Sequence, residues 1–322
     1  MTPGLQSEAS SGNPAPGPLL GAVEGGGTKV LCAVGYSPLE VLDRVAIPTR
    51  ESATTLSAAV AYFARQQQLR GHIEAFGIAF FGPLGLRPDR PNFGRLLRTP
   101  KANWSGVDLL APFSETFEAP IVLDTDVAAA AIAEWRMGVG RGAASIAYVT
   151  VGTGIGVGFA PYPERSTRLL HPEGGHLRVR RLPHDDDFQG ICPFHGDCLE
   201  GLASGPAIRA RWGCQLNELP VEHSAWPMIG GYLGQLAAAI CLLTSVERII
   251  MGGGVMAGGA LLPHIRAAAQ DALGGYVTLL AEYRTLVEYI VAPALGNDAG
   301  IAGAFMLATE ALKCQPDEKE KA

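Results

Sequence analysis

Apolar positions along the chain fall into short runs closed by glycine turns and longer stretches with helical spacing. Leu19 to Gly35 reads as strand, glycine turn, strand, with Gly25-Gly26-Gly27 between two apolar runs. Val41 to Thr49 predicts a third strand. Ser52 to Gln68 carries Leu56, Ala59, Val60 and Phe63 at helical spacing, with Ser52 placed as a cap. Ala75 to Phe81 is a short apolar run ending at Gly82-Pro83, a buried strand with a loop at its C-terminal end, where ligands collect in α/β sheets. A Pro- and Gly-rich stretch then predicts an irregular connection. Pro120 to Asp124 is the next buried strand, and Val127 to Trp135 continues as a helix.

Ser145 to Ala160 repeats the strand, glycine turn, strand pattern. Leu202 to Arg211 and Trp226 to Thr244 read as helices, and Val246 to Met251 as a strand leading into Gly252-Gly253-Gly254. Gly258 to Gln270 predicts a helix, Leu286 to Ala292 a last strand, and Gly300 to Lys313 an apolar helix. Residues 1–18, rich in Pro, Gly and Ser, and residues 314–322 predict disordered tails.

Two strand, turn, strand units that each open an α/β block, with a third glycine turn late in the chain, point to two like domains closing on a nucleotide. The backbone amides of Gly26 and Gly27, beside Thr28 and Lys29, can cradle a phosphate, and so can Gly152, Thr153 and Gly154. Neither is a Walker loop, and a strand rather than a helix follows the Gly-rich run at 152–158, so it is not a dinucleotide fingerprint. Each turn taken alone is equally a plain tight turn.

Composition narrows the choice. Of 322 residues, 48% are hydrophobic and 17% charged, which describes a compact folded chain. A net charge of −6 with no long basic run is poor equipment for holding nucleic acid. No stretch of about 20 uninterrupted apolar residues predicts a membrane span, and the N-terminus lacks a signal-peptide pattern. Cys32, Cys214, Cys241 and Cys314 are scattered and read as reduced, which predicts a cytoplasmic location.

The chemistry concentrates between His171 and Pro206. Cys192-x-x-His195-x-x-Cys198 with His176 upstream forms a set with zinc-ligand spacing. Two thiolates and two imidazoles suit a closed, structural Zn2+ site. His171 and His184 are rival ligands. Glu173 and Glu200 each lie within three residues of a ligand, so the metal would fix both carboxylates to grip a polar substrate. Asp126, where a strand gives way to a helix, is either an N-cap or a general base at the ligand-binding edge, and the two roles are compatible. Asp124, two residues earlier, is its rival. Asn103 and Trp104 either meet a substrate or, in the case of Trp104, anchor the loop.

VEGGGTK, VTVGTGIGVG and IIMGGGV, with EGGH followed by CPFHGDCLEGLASGPA, resemble the phosphate, adenosine, zinc and sugar motifs of the ROK family of sugar kinases and repressors. With TPKANW and LDTDV, the likeness is nearest to the ROK fructokinases, and it spans Leu19 to about Lys313. It implies a two-domain actin, hexokinase and Hsp70 type of α/β fold (ribonuclease H-like) with an interdomain cleft. The smaller domain would take residues 19–123 and 300–313, the larger 124–299.

By this resemblance Asp126 is the catalytic base, and Asn103, Glu173, His176 and Glu200 touch the sugar, His176 also binding zinc. Gly26, Gly27, Thr28, Lys29, Gly152, Thr153 and Gly154 serve the phosphates of ATP, and Gly253 and Gly254 lie near its adenosine. The implied cofactors are ATP, Mg2+ and Zn2+, the partners a small hexose and a second copy of the chain. Three positions depart from the family pattern. Glu24 replaces Asp, Ala128 replaces Asn, and Leu84-Gly85-Leu86 replaces a segment that more often holds an acid. The expected activity is ATP-dependent phosphorylation of fructose to fructose 6-phosphate. The alternatives are mannose, glucose or an N-acetyl hexosamine as substrate, or a ROK-type sugar sensor without activity. The short Pro- and Gly-rich segment ahead of the fold leaves no room for a repressor's helix-turn-helix.

Overall fold

The computed structural model describes residues 17–161, 169–183, 185–278 and 285–313. The tails expected at 1–18 and 314–322 lie outside these residues, except for 17 and 18, and so does His184.

Strands β1 (Leu20–Gly25), β2 (Lys29–Ser37) and β3 (Glu40–Pro48) form an antiparallel meander. Strands β4 (Ala75–Phe80) and β5 (Ile121–Thr125) add parallel to β1, giving the order β3-β2-β1-β4-β5. All six residues of β4 are buried because both faces are covered. Phe76, Ile78 and Phe80 face helix α1 (Ser52–Arg70), where Phe76 meets Phe63 edge to face at 5.1 Å. Ala75, Gly77 and Ala79 point the other way, towards the last helix, α9 (Ala299–Lys313). Alternating large and small residues thus give one strand two different partners. α1 begins after Glu51 with no side-chain cap, so Ser52 is helical rather than capping. A short helix, α2 (Ala111–Ser114), follows the irregular connection.

The second sheet has the order β7-β6-β8-β9, built from β6 (Ile146–Val151), β7 (Ile155–Ala160), β8 (Arg248–Gly252) and β9 (Ile290–Val291). β7 is antiparallel to β6, and β8 and β9 run parallel, so the sheet repeats the β2-β1-β4-β5 pattern of the first. Helices α6 (Ala225–Thr244) and α7 (Leu262–Leu273) cover one face, and α3 (Asp126–Arg136) the other. α6 is long and apolar enough to cross a membrane by length and composition, which sequence reading did not anticipate. Here it packs on α7, with residues such as Tyr232, Leu233 and Ala237 buried in the core of the second sheet.

α3 and α9 cross between the two sheets. A Cβ on Gly303 would fall on the Ala129 carbonyl, so the helices touch backbone to backbone. Gly303→Val is therefore expected to cost about 1–3 kcal/mol by overpacking. Thermal unfolding checks this, and an unchanged Tm would mean the crossing tolerates a wider spacing.

Three elements differ from expectation. The helix expected over 202–211 is two, α4 (Leu199–Ala203) and α5 (Gly205–Trp212), broken at Ser204, whose hydroxyl caps the second by accepting the Ala207 N–H. α7 starts at Leu262, because Gly258 and Gly259 hold φ of +79° and +73°, outside the helical region. The strand expected over 286–292 is mostly a helical turn, α8 (Leu286–Tyr289), opened by a Thr285–Glu288 capping box; only Ile290 and Val291 pair.

Candidate functional site

The N-cap of α3 is Thr125, whose hydroxyl accepts the Ala128 N–H at 3.2 Å. Asp126 is thus the first helical residue rather than the cap, and its Oδ1 accepts the Val127 N–H at 2.8 Å. Burial pushes its carboxyl up to about 6, while the backbone amides at the helix start oppose the shift. Asp124 lies inside β5, is 3% exposed, and accepts the Thr125 N–H at 2.8 Å. Asp126 does not continue the face that Asp124 holds in β5, because strand alternation ends at Thr125.

Glu24, near the end of β1, comes against Gly300 at the start of α9. Its carboxyl is pushed up to about 7, first by burial and then by Asp126, against the pull of Lys29 and the Ile301 N–H. Among the described residues, its Oε2 is buried without a hydrogen-bond partner. Glu24, Asp126, Tyr148, Gly253, Asn297 and Gly300 line one cleft of about 110 Å³.

The glycine turns meet at this end of both sheets. A Cβ on Gly27 would lie 3.3 Å from Thr153, so the first and second turns touch. Thr49 closes the first by donating to the Gly26 carbonyl at 2.9 Å, and Lys101 Nζ donates to the Gly27 carbonyl at 2.6 Å. In the second turn, the Gly152 N–H donates to the Gly154 carbonyl at 2.8 Å, and the Gly205 N–H donates to the Gly152 carbonyl at 2.8 Å. Gly253, with φ +94°, lies against the Val151 backbone, which leaves no space for a side chain. Thr28 and Lys29 continue the first turn, and Gly254 opens a 3-10 turn after Gly253.

The four proposed zinc ligands converge. Cys192 Sγ lies 3.8 Å from His176 Nδ1 and 3.6 Å from His195 Nδ1, and Cys198 Sγ lies 3.6 Å from His176 Nδ1. Tetrahedral zinc with bonds of about 2.3 Å to sulfur and 2.0 Å to nitrogen requires S···N edges of about 3.5 Å. The donor set therefore fits the ion, with all four atoms within 4.8 Å of one another. The rival ligand His171 is elsewhere, its Nε2 accepting the Leu84 N–H at 3.0 Å.

Glu173 opens the 3-10 turn that holds His176. Burial, then Glu200, then Asp126, raise its carboxyl to about 7, so the three acids share one field. Glu200 Oε2 accepts the Ile155 N–H at 3.0 Å and lies where a Cβ on Gly154 would meet it at 2.7 Å. One carboxylate thereby links the Cys/His segment to the second glycine turn. Asn103 stands apart, exposed, with φ +64° and its amide donating to Glu51 Oε1 at 2.8 Å. Trp104 is fully buried and donates to the Arg50 carbonyl at 2.9 Å, so it anchors the loop.

Sequence reasoning missed Tyr148, Asn297 and Gly300, which have no local motif of their own. Lys101 was visible only as part of TPKANW, and His171 only as a rival metal ligand.

Two sheets of matching strand order, with glycine turns meeting over a carboxylate-lined cleft, define the actin, hexokinase and Hsp70 type of fold. The ROK family model matches residues 20–311, and the chain belongs to the ROK family. It is 39% identical over 295 residues to a fructokinase of Pediococcus pentosaceus, covering 92% of this chain and 99% of that one. A fructokinase of Zymomonas mobilis is 41% identical over 296 residues, covering 91% and 97%. A ROK family glucokinase from Streptomyces griseus, solved with glucose and AMPPNP, has a TM-score of 0.68 at 24% identity, covering 91% of this chain and 99% of that one. The ROK hexokinase of Thermus thermophilus gives 0.67 at 24% identity, covering 92% and 100%.

Proposed function

We propose that this chain is an ATP-dependent fructokinase, transferring the γ-phosphoryl group of ATP to the 6-hydroxyl of fructose. The observation that carries this reading is that the two glycine turns touch at Gly27 and Thr153, while Glu200 and Asp126 both raise the Glu173 carboxyl. The fructokinase relatives supply the sugar.

Phosphoryl transfer asks the protein mainly to position groups and to balance charge. Asp126 accepts the hydroxyl proton as the sugar oxygen attacks. Gly26 and Gly152 close the two turns, their N–H groups donating to the Lys29 and Gly154 carbonyls, while the amides of Gly27 and Gly154, with Thr28, Lys29 and Thr153, hold the phosphates, and Gly253 and Gly254 border the adenosine. Glu173, Glu200 and the ring of His176 bind the sugar hydroxyls. Asn103, exposed and donating to Glu51 Oε1, must give up that bond to join them.

The unpartnered Glu24 oxygen, repelled by Asp126, fits a hydrated Mg2+. Such an ion, when bound, offsets the charge of the ATP phosphates. His176, Cys192, His195 and Cys198 hold Zn2+ as a structural ion. A first lobe of 19–123 with 300–313, a second of 124–299, a homodimer and a cytoplasmic location belong to the same reading. β5 runs two residues past that first boundary, to Thr125.

A coupled assay with ATP and six hexoses tests the reading. Fructose should exceed mannose, glucose, galactose, N-acetylglucosamine and N-acetylmannosamine in kcat/KM by at least about 10-fold. Another sugar in first place would reassign the substrate, and tight fructose binding without turnover would make the chain a sensor.

The pH profile supplies another expected result. Asp126 must be ionised to accept a proton, and its carboxyl titrates at about 6. kcat/KM should therefore fall as pH drops through that value, by about tenfold per unit below it. A profile flat down to pH 5 would remove Asp126 as the base.

A further inference from the structure

His171 is 5% exposed and connects parts of the chain that are far apart in sequence. It precedes the zinc segment, yet its Nε2 accepts the N–H of Leu84, in the connection after β4, at 3.0 Å. Its ring also packs on Gly82, where a Cβ would lie 2.8 Å from Cε1. A backbone N–H aimed at Nε2 requires a lone pair there, so the ring proton resides on Nδ1. Nδ1 faces Glu173 Oε1 at 3.4 Å and the Pro172 carbonyl at 3.4 Å. The same connection is tethered a second time, where the Arg98 guanidinium stacks over Phe194 between two zinc ligands, 5.2 Å from the ring centre.

We propose that His171 is a positioning residue for sugar binding: the Leu84 amide fixes its tautomer, and its Nδ1–H holds the Glu173 carboxylate in the orientation that receives the sugar. The loop after β4 and the zinc segment thereby act on one carboxylate through a single imidazole. Burial, Glu200 and Asp126 all disfavour the ionised form of Glu173, and a donor at His171 Nδ1 favours it. The distance of 3.4 Å is long for a hydrogen bond and shortens when sugar draws the loop and the zinc segment together. The inference rests on Glu173 being a sugar contact.

The test uses the full chain and measures KM for fructose and for ATP with four single variants, His171→Ala, His171→Asn, His171→Gln and Glu173→Gln. Asparagine places an amide donor near the Nδ1 position and lacks the Leu84 acceptor. Glutamine places an acceptor near the Nε2 position and lacks the donor to Glu173. His171→Ala and His171→Gln should raise the fructose KM on the order of 10-fold, with the ATP KM unchanged. His171→Asn should restore the fructose KM to within about threefold of the native protein. In the double variant His171→Ala with Glu173→Gln, the effect should not exceed that of Glu173→Gln alone, because His171 acts through Glu173.

A purely structural histidine would lower stability and move both KM values, or neither, in all three His171 variants. Where His171→Ala fails to fold, the contrast between asparagine and glutamine decides. Glu173→Gln raising the fructose KM while every His171 variant leaves it unchanged would overturn the inference and leave Glu173 as a sugar contact. Independent, multiplying effects in the double variant would overturn it too. An unchanged fructose KM in Glu173→Gln would remove the sugar role of Glu173, and the inference with it.

Discussion

Asp126→Asn should lower kcat on the order of 10³-fold while changing fructose affinity far less. The substitution keeps the shape of the side chain and the acceptor for the Val127 N–H, 2.8 Å away, so the start of α3 should persist. The helix cap is Thr125, whose bond to the Ala128 N–H does not involve Asp126. The loss should therefore appear in the chemical step rather than in folding. Asp124→Asn should act mainly through stability, because Asp124 is buried within β5 and bonded to the Thr125 N–H. Steady-state kinetics beside thermal melts separate the two outcomes. A folded Asp126→Asn enzyme of near-native kcat, with Asp124→Asn inactive, would reverse the assignment. No effect from either would reject a carboxylate base.

Loss of the zinc site should have the second largest effect. Cys198, fully buried in the proposed ligand set, lies two residues before Glu200, and Glu200 accepts the Ile155 N–H at the second glycine turn. Removing one ligand leaves the remaining donors without an ion to organise them. Cys198→Ser, or chelation of the native protein, should lower Tm by roughly 5–10 °C. The fructose KM should rise in parallel, because Glu173 and Glu200 are placed by the ligands beside them. Elemental analysis of protein purified without a tag should find one zinc per chain. A Cys198→Ser protein with native Tm and native zinc content would show that the thiol is not a ligand.

How far each feature could be read from sequence depended on how local its cause was. The glycine turns, the clustering of His176, Cys192, His195 and Cys198 and most strands were legible because spacing of neighbouring residues produces them. The turn at 286–289 was misread as strand because its apolar residues lack helical length, and a capping box at Thr285 and Glu288 settles it. The N-cap at Asp126 was misassigned by one residue, since Thr and Asp both cap helices and only backbone geometry chooses between them. His171 was weighed as a ligand because histidines near cysteines often are, whereas its partner Leu84 is 87 residues away.

The sequence by itself determined the donor chemistry. It specified two thiols and two imidazoles at fixed spacing, three glycine turns at strand ends, and an acid where a strand gives way to a helix. It also determined the two faces of β4, since side chains alternate along a strand and Phe76, Ile78 and Phe80 alternate with Ala75, Gly77 and Ala79. Only the tertiary structure decided that the turn at Gly27 meets the turn at Thr153, that Glu24 lies buried against Gly300, and that Asn103 points to Glu51. Those contacts join residues far apart in the chain. The meeting of the two turns goes with the crossing of α3 and α9 at Gly303, between the two sheets. No local pattern encodes that approach, because it depends on the combined packing of helices whose sequences are each compatible with other neighbours.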